Sequence, residues 1–306
     1  MKVYYGSKNF PASVRRPVVA LGNFDGVHLA HQRMFKLARR LAKQLRGTAL
    51  AYTFDPHPVK VLSPVTAPAM LNTLEQRLEL LETTGLDAVV VEPFVLKFAH
   101  LQAEDWFRKV VVKHLHAAGV VVGYDFTFGS HRGGTVETME KLCAEAGLAC
   151  RVLEAQMKGE TLISSSNIRA FVAKGAVDRA AALLGRPYFV DGTVIQGAGR
   201  GASLGIRTAN LKVENELLPL GGVYACWAEL GRRRHRAVAN LGLNPTFGGS
   251  ALSVEAHLLK FRQDLYGKKL RLHFVKRLRD ERPFASVEAL VRQIHRDIQA
   301  AERVLA

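Results

Sequence analysis

The chain predicts two architectures in series. The first is a doubly wound parallel α/β sheet of Rossmann type, over residues 1–186. The second is a small antiparallel β-barrel, over residues 187–306, that ends in a helix. Three observations carry this reading. Apolar runs alternate with helix-period stretches as far as ALLGRPY. Beyond it the runs become short and are separated by Gly, Pro and Asn. The length of 306 residues exceeds one ordinary domain and favours two.

In order, PVVALGNF predicts a strand, HLAHQRMFKLARRLAKQLR a helix and TALAYTF a strand. LEQRLELLETTG is helical, DAVVVEPF extended, AEDWFRKVVVKHL helical and AGVVVGYDF extended. TVETMEKLCAEAG and ACRVLEA add one more helix and strand. Apolar strands separated by helices indicate a parallel sheet covered on both faces, and ligands gather where strand ends meet helix starts. AFVAKGAVDRAAALLG is helical and, with GRP, forms the hinge. YFVDGTVIQG, ASLGIRTANLKV, GGVYACWAEL, HRAVANLGL, LSVEAHLLKF and KKLRLHFVKRL then predict the barrel strands. SVEALVRQIHRDIQAAERVL has helical period, with Ser286 as its N-cap.

Composition narrows the function classes. The chain is 48% hydrophobic with a mean hydropathy of +0.02, as in a soluble globular protein. No apolar run approaches the roughly 18 residues of a membrane span, and MKVYYGSKNF lacks a signal-peptide core. The three cysteines form no CxxC pair, which argues against a disulfide framework or a zinc site and suits a reducing, cytoplasmic setting. The net charge of +16 attracts polyanions, either nucleic acids or phosphorylated small molecules. RRRHR (232–236) is the sharpest basic cluster and reads most simply as a solvated hairpin turn. No recognised nucleic-acid motif accompanies the charge, so small phosphorylated substrates are the expected partners, and neither nucleic acid nor a membrane is.

GNFDGVHLAHQRMF (22–35) places His28 and His31 where the first strand becomes a helix. A helix starting past His28 aims its free N–H groups and positive dipole end into the strand-end crevice, a ready anion site. At spacing i, i+3 the imidazoles lie one above the other and can steady charge on a phosphoryl group. Gly22 and Gly26 permit the tight turn. An isolated HxxH reads more simply as one capping histidine and one solvated histidine, and a zinc site lacks a third ligand nearby. The balance shifts with TLISSSNIRAF (161–171), where Ser164, Ser165 and Ser166 open a helix and Arg169 follows one turn later. Serines alone are an N-cap; serines with an arginine make a second phosphate cradle. Two such sites suit a nucleoside triphosphate being split.

GNFDGVHLAHQ, TFDPHPVKVL, VVGYDFTFG and ISSSNIR, in this order, resemble the adenylyltransferase half of the bacterial bifunctional riboflavin kinase/FMN adenylyltransferases. GAGRGASLGIRTANL, GGVYA, NPTFGG and VEAHLLKFRQDLYG resemble the kinase half, so the likeness spans nearly the whole chain. The resemblance implies AMP transfer from ATP to FMN in the first domain, with pyrophosphate released. His28 and His31 would stabilise the transition state, and Ser165, Ser166 and Arg169 would hold the β- and γ-phosphates. Asn23 and Asp25 share the histidine loop. Asp125, Phe126 and Phe128 would line the nucleotide or flavin pocket. His57, in DPHP, either faces the site or fixes a turn between two prolines. Ala30 stands where the family usually has glycine beside the adenine, and Ser166 stands where it usually has threonine.

In the second half, a Gly-rich loop holding Gly197, Arg200, Gly201 and Gly205 precedes Thr208 and Asn210. Glycines let backbone wrap phosphates, and hydroxyl and amide oxygens suit Mg²⁺, although such a loop between barrel strands needs no ligand. The resemblance makes Thr208 and Asn210 the holders of Mg²⁺ and ATP. It makes Glu255 the base that takes the riboflavin 5′-hydroxyl proton, a role its place in a strand does not reveal. Arg207, Asn244 and Lys260 depart from the family pattern, so the kinase half could alternatively be a weakened flavin-binding module. The implied substrates and products are ATP, riboflavin, FMN and FAD.

Overall fold

Val18, Val19 and Ala20 are wholly buried, as expected of a central strand covered on both faces. The computed structural model describes residues 1–196, 206–243 and 252–306. Its contacts group into two units, Met1–Ala69 with Leu74–Ile163, and Met70–Thr73 with Ser164–Ala306.

The first unit contains β1 (Lys2–Tyr5), β2 (Pro17–Leu21), α1 (Leu29–Gln44), β3 (Thr48–Asp55), α2 (Pro58–Leu62) and α3 (Leu74–Glu82). β4 (Ala88–Pro93), α4 (Leu96–Ala99) and α5 (Ala103–Trp106) follow, and α5 runs on into wider π-helical turns over Phe107–His114. β5 (Gly119–Gly123), α6 (Val136–Glu145), β6 (Ala149–Leu153) and a hairpin of β7 (Met157–Lys158) and β8 (Thr161–Leu162) complete it.

Six strands form one sheet in the order β1-β4-β3-β2-β5-β6, with every neighbouring pair parallel. The chain moves from β2 through β3 to β4 on one side, then crosses to β5 and β6 on the other. The strand order therefore reverses between β2 and β5, and the crevice for a ligand lies at their carboxyl ends. α1 packs on β2, β3 and β5 through Met34, Phe35, Ala38 and Leu41, all buried. On a face with Trp106, Phe107 and Val110, the Tyr52 hydroxyl donates to Glu92 at 3.0 Å and the Ser7 N–H donates to the same oxygen at 2.7 Å. The buried carboxylate is thereby satisfied, and burial beside it pushes the Tyr52 phenol well up.

The second unit begins with α7 (Ser165–Ala173) and α8 (Val177–Leu184). The predicted single helix breaks here because Gly175 adopts φ +73°. α8 packs on the first and last barrel strands, so contacts group both helices with the barrel. β9 (Tyr188–Ile195), β10 (Ala209–Val213), β11 (Gly222–Leu230), β12 (Arg233–Leu243), β13 (Leu252–Leu258) and β14 (Lys269–Arg279) close into an antiparallel barrel of order β10-β13-β12-β11-β14-β9. RRRHR proves to be mostly strand: Leu230 pairs with Arg233 across a turn of Gly231 and Arg232. On the outer face Arg234, Glu229, Arg271 and Asp191 fall in one row across four strands, with Arg234–Glu229 at 2.8 Å and Arg271–Asp191 at 2.6 Å.

The terminal helix α9 (Val287–Val304) starts as predicted, with Ser286 Oγ accepting the Ala289 N–H at 3.2 Å. Its Ala301, with Leu305 just beyond its end, packs against Val223, Ala225 and Val238. Arg279 of β14 clasps the buried Asp297 carboxylate of α9 through Nε at 3.1 and 3.0 Å and Nη2 at 2.9 Å. Removing one partner of such a pair leaves an uncompensated charge. Asp297→Ala should therefore lower the stability of the second unit by about 3 kcal/mol in urea unfolding. Wild-type stability in that variant would contradict the assignment.

Candidate active sites

β2 delivers the chain into a turn whose backbone is strained. Phe24 has φ +53°, Gly26 φ +85° and Val27 φ +42°. A left-handed β-branched residue is a real outlier, and such strain costs about 1–3 kcal/mol per residue. Packing repays part of it: Phe24 and Val27 are each 1% exposed, and Phe24 meets His31 and Phe35 edge to face. Gly22 allows this close approach, because a Cβ there would lie 2.8 Å from the Phe24 ring.

The turn ends at His28, the N-cap of α1, whose Nδ1 accepts the His31 N–H at 3.4 Å. That bond leaves the proton of the neutral ring on Nε2. The two imidazoles stack, 3.5 Å between centroids and 17° between planes. His28 thus caps the helix, while His31 is a stacked, half-buried group and not a solvated one. Asp25 is 2% exposed in the same turn, and Ala30 is half-buried between the histidines. Both rings stand at a helix N-terminus beside the point where the strand order reverses, a place built to receive an anion.

Three other predicted residues follow β5, on the other side of that point. Phe126 and Phe128 stack at 5.6 Å, and Phe128 abuts Trp106 at 5.4 Å. Phe128 is held by backbone bonds to Gly134 in both directions, at 3.0 and 2.9 Å. Asp125 is exposed. After β3, the nearly buried His57 accepts the Val59 N–H at 3.2 Å and caps α2, a turn-fixing role.

Sequence reasoning missed Arg77. It lies on α3, is 5% exposed, and donates from Nη1 to the Asn23 carbonyl at 3.0 Å and from Nη2 to the Phe54 carbonyl at 2.9 Å. Asp55 stands 3.5 Å from Nη2. Burial pulls the guanidinium below its usual range, while Asp55 and Asp25 act the other way. A helical arginine reads by default as surface charge. The available signal was its spacing, three and four residues before Leu80 and Leu81, on the face that α3 buries.

In the second unit, Ser164 caps α7 by accepting the Asn167 N–H at 3.3 Å. Ser165 and Ser166 are the first two residues of that helix, and the half-buried Arg169 follows one turn in. On the barrel, Asn210 lies opposite Glu255 and Glu255 opposite Asn240, one polar row across β10, β13 and β12. Thr208 donates its hydroxyl to Glu255 at 3.4 Å. These are hydroxyl, amide and carboxylate oxygens on adjoining strands, a donor set that fits Mg²⁺. The Arg207 carbonyl is 2.8 Å from His257 Nδ1, and the Arg207 side chain is exposed. Lys260, at φ +56°, lines a cavity of about 340 Å³ with Arg233, His235 and Arg262. Gly197, Arg200, Gly201, Gly205 and Asn244 lie outside the described residues.

Comparison with known proteins gives both halves a family. Residues 11–167 match the FAD synthetase family and residues 184–305 the riboflavin kinase family. The bifunctional riboflavin kinase/FMN adenylyltransferase of Bacillus subtilis is 37% identical over 294 residues, covering 94% of this chain and 92% of that protein. The protein of the same name from Escherichia coli K12 is 33% identical, covering 97% and 96%. A crystal structure described as a macrolide-efflux protein from Streptococcus pneumoniae superposes with a TM-score of 0.90 at 29% identity, covering 99% of each chain. Among the described residues no helix is long and apolar enough to cross a membrane. With both family matches in sequence order and relatives aligned over nearly their full length, this chain belongs to the bifunctional riboflavin kinase/FMN adenylyltransferase family.

Proposed function

We propose that the chain makes FAD from riboflavin in two ATP-dependent steps, riboflavin to FMN in residues 187–306 and FMN to FAD in residues 1–186, in the cytoplasm. The stacked His28–His31 pair at the N-terminus of α1 is the observation that carries the second step.

For adenylyl transfer, a phosphate oxygen of FMN attacks the α-phosphorus of ATP in line, the α–β bridging P–O bond breaks, and pyrophosphate departs. No enzyme nucleophile is required, so the residues position the reactants and stabilise charge. The helix N-terminus and the two imidazoles meet the charge that develops on the α-phosphoryl oxygens. Asn23 and Asp25 belong to the same strained turn, and Phe126 and Phe128 offer apolar surface for a planar ring. Ser165, Ser166 and Arg169 bind the departing β- and γ-phosphates. That assignment rests on the ISSSNIR motif, and the functional division at residue 186 on the change from helical to short-strand texture at GRP.

For phosphoryl transfer, Glu255 accepts the proton of the riboflavin 5′-hydroxyl as that oxygen attacks the γ-phosphorus and ADP leaves. Thr208 and Asn210 would hold Mg²⁺, which when bound offsets the charge of the ATP phosphates. The Thr208 hydroxyl on Glu255 and the register of Asn210 with Glu255 support this grouping.

Purified protein given riboflavin, ATP and Mg²⁺ should yield both FMN and FAD on chromatography. FAD formed only from supplied FMN would leave the adenylyltransferase alone, and no flavin turnover would overturn both. His28→Asn should lower FAD formation about 10²-fold or more while FMN still accumulates. Asn is a good N-cap, so its melting temperature should match wild type, whereas His28→Ala should also lose about 1 kcal/mol. Equal loss of both products in His28→Asn would contradict separate sites. Glu255→Gln should cut FMN formation about 10²-fold or more and spare FAD synthesis from added FMN. Undiminished kinase activity would remove Glu255 as the base.

A further inference from the structure

We infer that Arg77 is a positioning residue for adenylyl transfer, the clamp that holds the strained 22–28 turn in its working shape. The inference rests on the adenylyltransferase reading of the first unit and adds a residue that touches no proposed substrate.

The turn is not self-supporting. Three of its positions adopt left-handed backbone, two of them without glycine's freedom, and strain of this kind persists only where the surroundings over-determine it. Bonds pin it at several points: the Gly22 N–H donates to the Tyr52 carbonyl at 3.2 Å, the Val27 N–H to the Phe24 carbonyl at 3.1 Å, and Gln32 Nε2 to the Val27 carbonyl at 3.0 Å. The next fixed point is the Asn23 carbonyl, which accepts two donors from outside the turn. One is the buried Thr53 hydroxyl at 3.0 Å and the other is Arg77 at 3.0 Å.

Arg77 also reaches the Phe54 carbonyl and Asp55, at the head of the segment that carries His57. One planar guanidinium therefore sets the spacing between the backbone before His28 and the backbone before His57. Arginine suits this task because its donors diverge in a fixed fork, whereas a lysine ammonium is a point charge on a flexible stem. Burying a charge is costly unless it is paired and hydrogen-bonded, as Arg77 is by two carbonyls and Asp55. A free surface charge would gain nothing from the site that Arg77 occupies.

The relaxed alternative is a turn in which Phe24 and Val27 return to ordinary backbone regions and the cap residue moves. A displacement near 1 Å at a phosphoryl-transfer site costs on the order of 10²-fold in rate. The effect should fall on turnover, because the histidines act on charge that develops only in the transition state.

The test is steady-state FAD formation from FMN and ATP, with FMN formation from riboflavin followed in the same preparations. Arg77→Met should lower kcat for FAD formation about tenfold or more and leave FMN formation unchanged. Arg77→Lys should recover only a small part of the loss, since one ammonium cannot hold both carbonyls at a fixed spacing. Should Arg77→Met fail to fold, Thr53→Val removes the other donor to Asn23 and should lower the same kcat about fivefold. Wild-type kcat in Arg77→Met, or in Thr53→Val when that variant stands in, would overturn the inference, as would full recovery of kcat in Arg77→Lys. If wild-type protein made no FAD from FMN, the adenylyltransferase reading itself would fall, a result separable from all of these.

Discussion

The carbonyl of Asn23 is the fixed point of the first site. It takes hydrogen bonds from a strand, through Thr53, and from a helix, through Arg77. Of the residues after it, up to the cap of α1, Phe24, Gly26 and Val27 follow left-handed backbone. The stacked imidazoles are the visible outcome, but their geometry depends on where the turn leaves β2 and how the buried Phe24 seats beneath His31. Apolar packing, two external donors and a glycine at φ +85° together hold what none would hold alone.

The two units meet similar chemical demands with different resources. In the first, the proposed groups of the His28 turn sit on loops that leave parallel strands, beside the reversal of strand order between β2 and β5. In the second, the proposed groups sit on or beside the strands, and cross-strand register brings them together. Asn210, Glu255 and Asn240 align because β10, β13 and β12 are neighbours in a closed barrel whose pairing cannot slip without moving every side chain to the other face. The loop site is adjustable and therefore needs clamps. The strand site is rigid and depends on register.

Most of the architecture was legible because buried parallel strands and amphipathic helices write strong patterns. PVVAL and DAVVV could hardly be anything else. β1 was missed because KVYY is short and mostly exposed, so it carries neither an apolar run nor a clean alternation. The break between α7 and α8 was missed because one glycine inside an alanine-rich stretch costs too little to end a helix by propensity alone. His28, His31, Thr208, Asn210 and Glu255 were legible only as members of motifs. Arg77 was invisible to motif reading, since its partners are main-chain carbonyls and any sequence supplies those. RRRHR was read by its charge as a turn, although strand pairing depends on backbone, and Arg233, Arg234 and Arg236 pair normally with exposed side chains.

The sheets also differ in how they end. Among the described residues the barrel closes β9 onto β10, so each of its six strands pairs on both sides. The open sheet ends in β1 and β6, of four and five residues. Their brevity and the charge of Lys2 and Arg151 blunt both rims. During synthesis, however, β1 emerges some 85 residues ahead of its partner β4, so this rim is completed late. Parallel pairing across so long a separation forms slowly, and strand edges that wait for a partner are the ones most open to a neighbouring chain at high concentration.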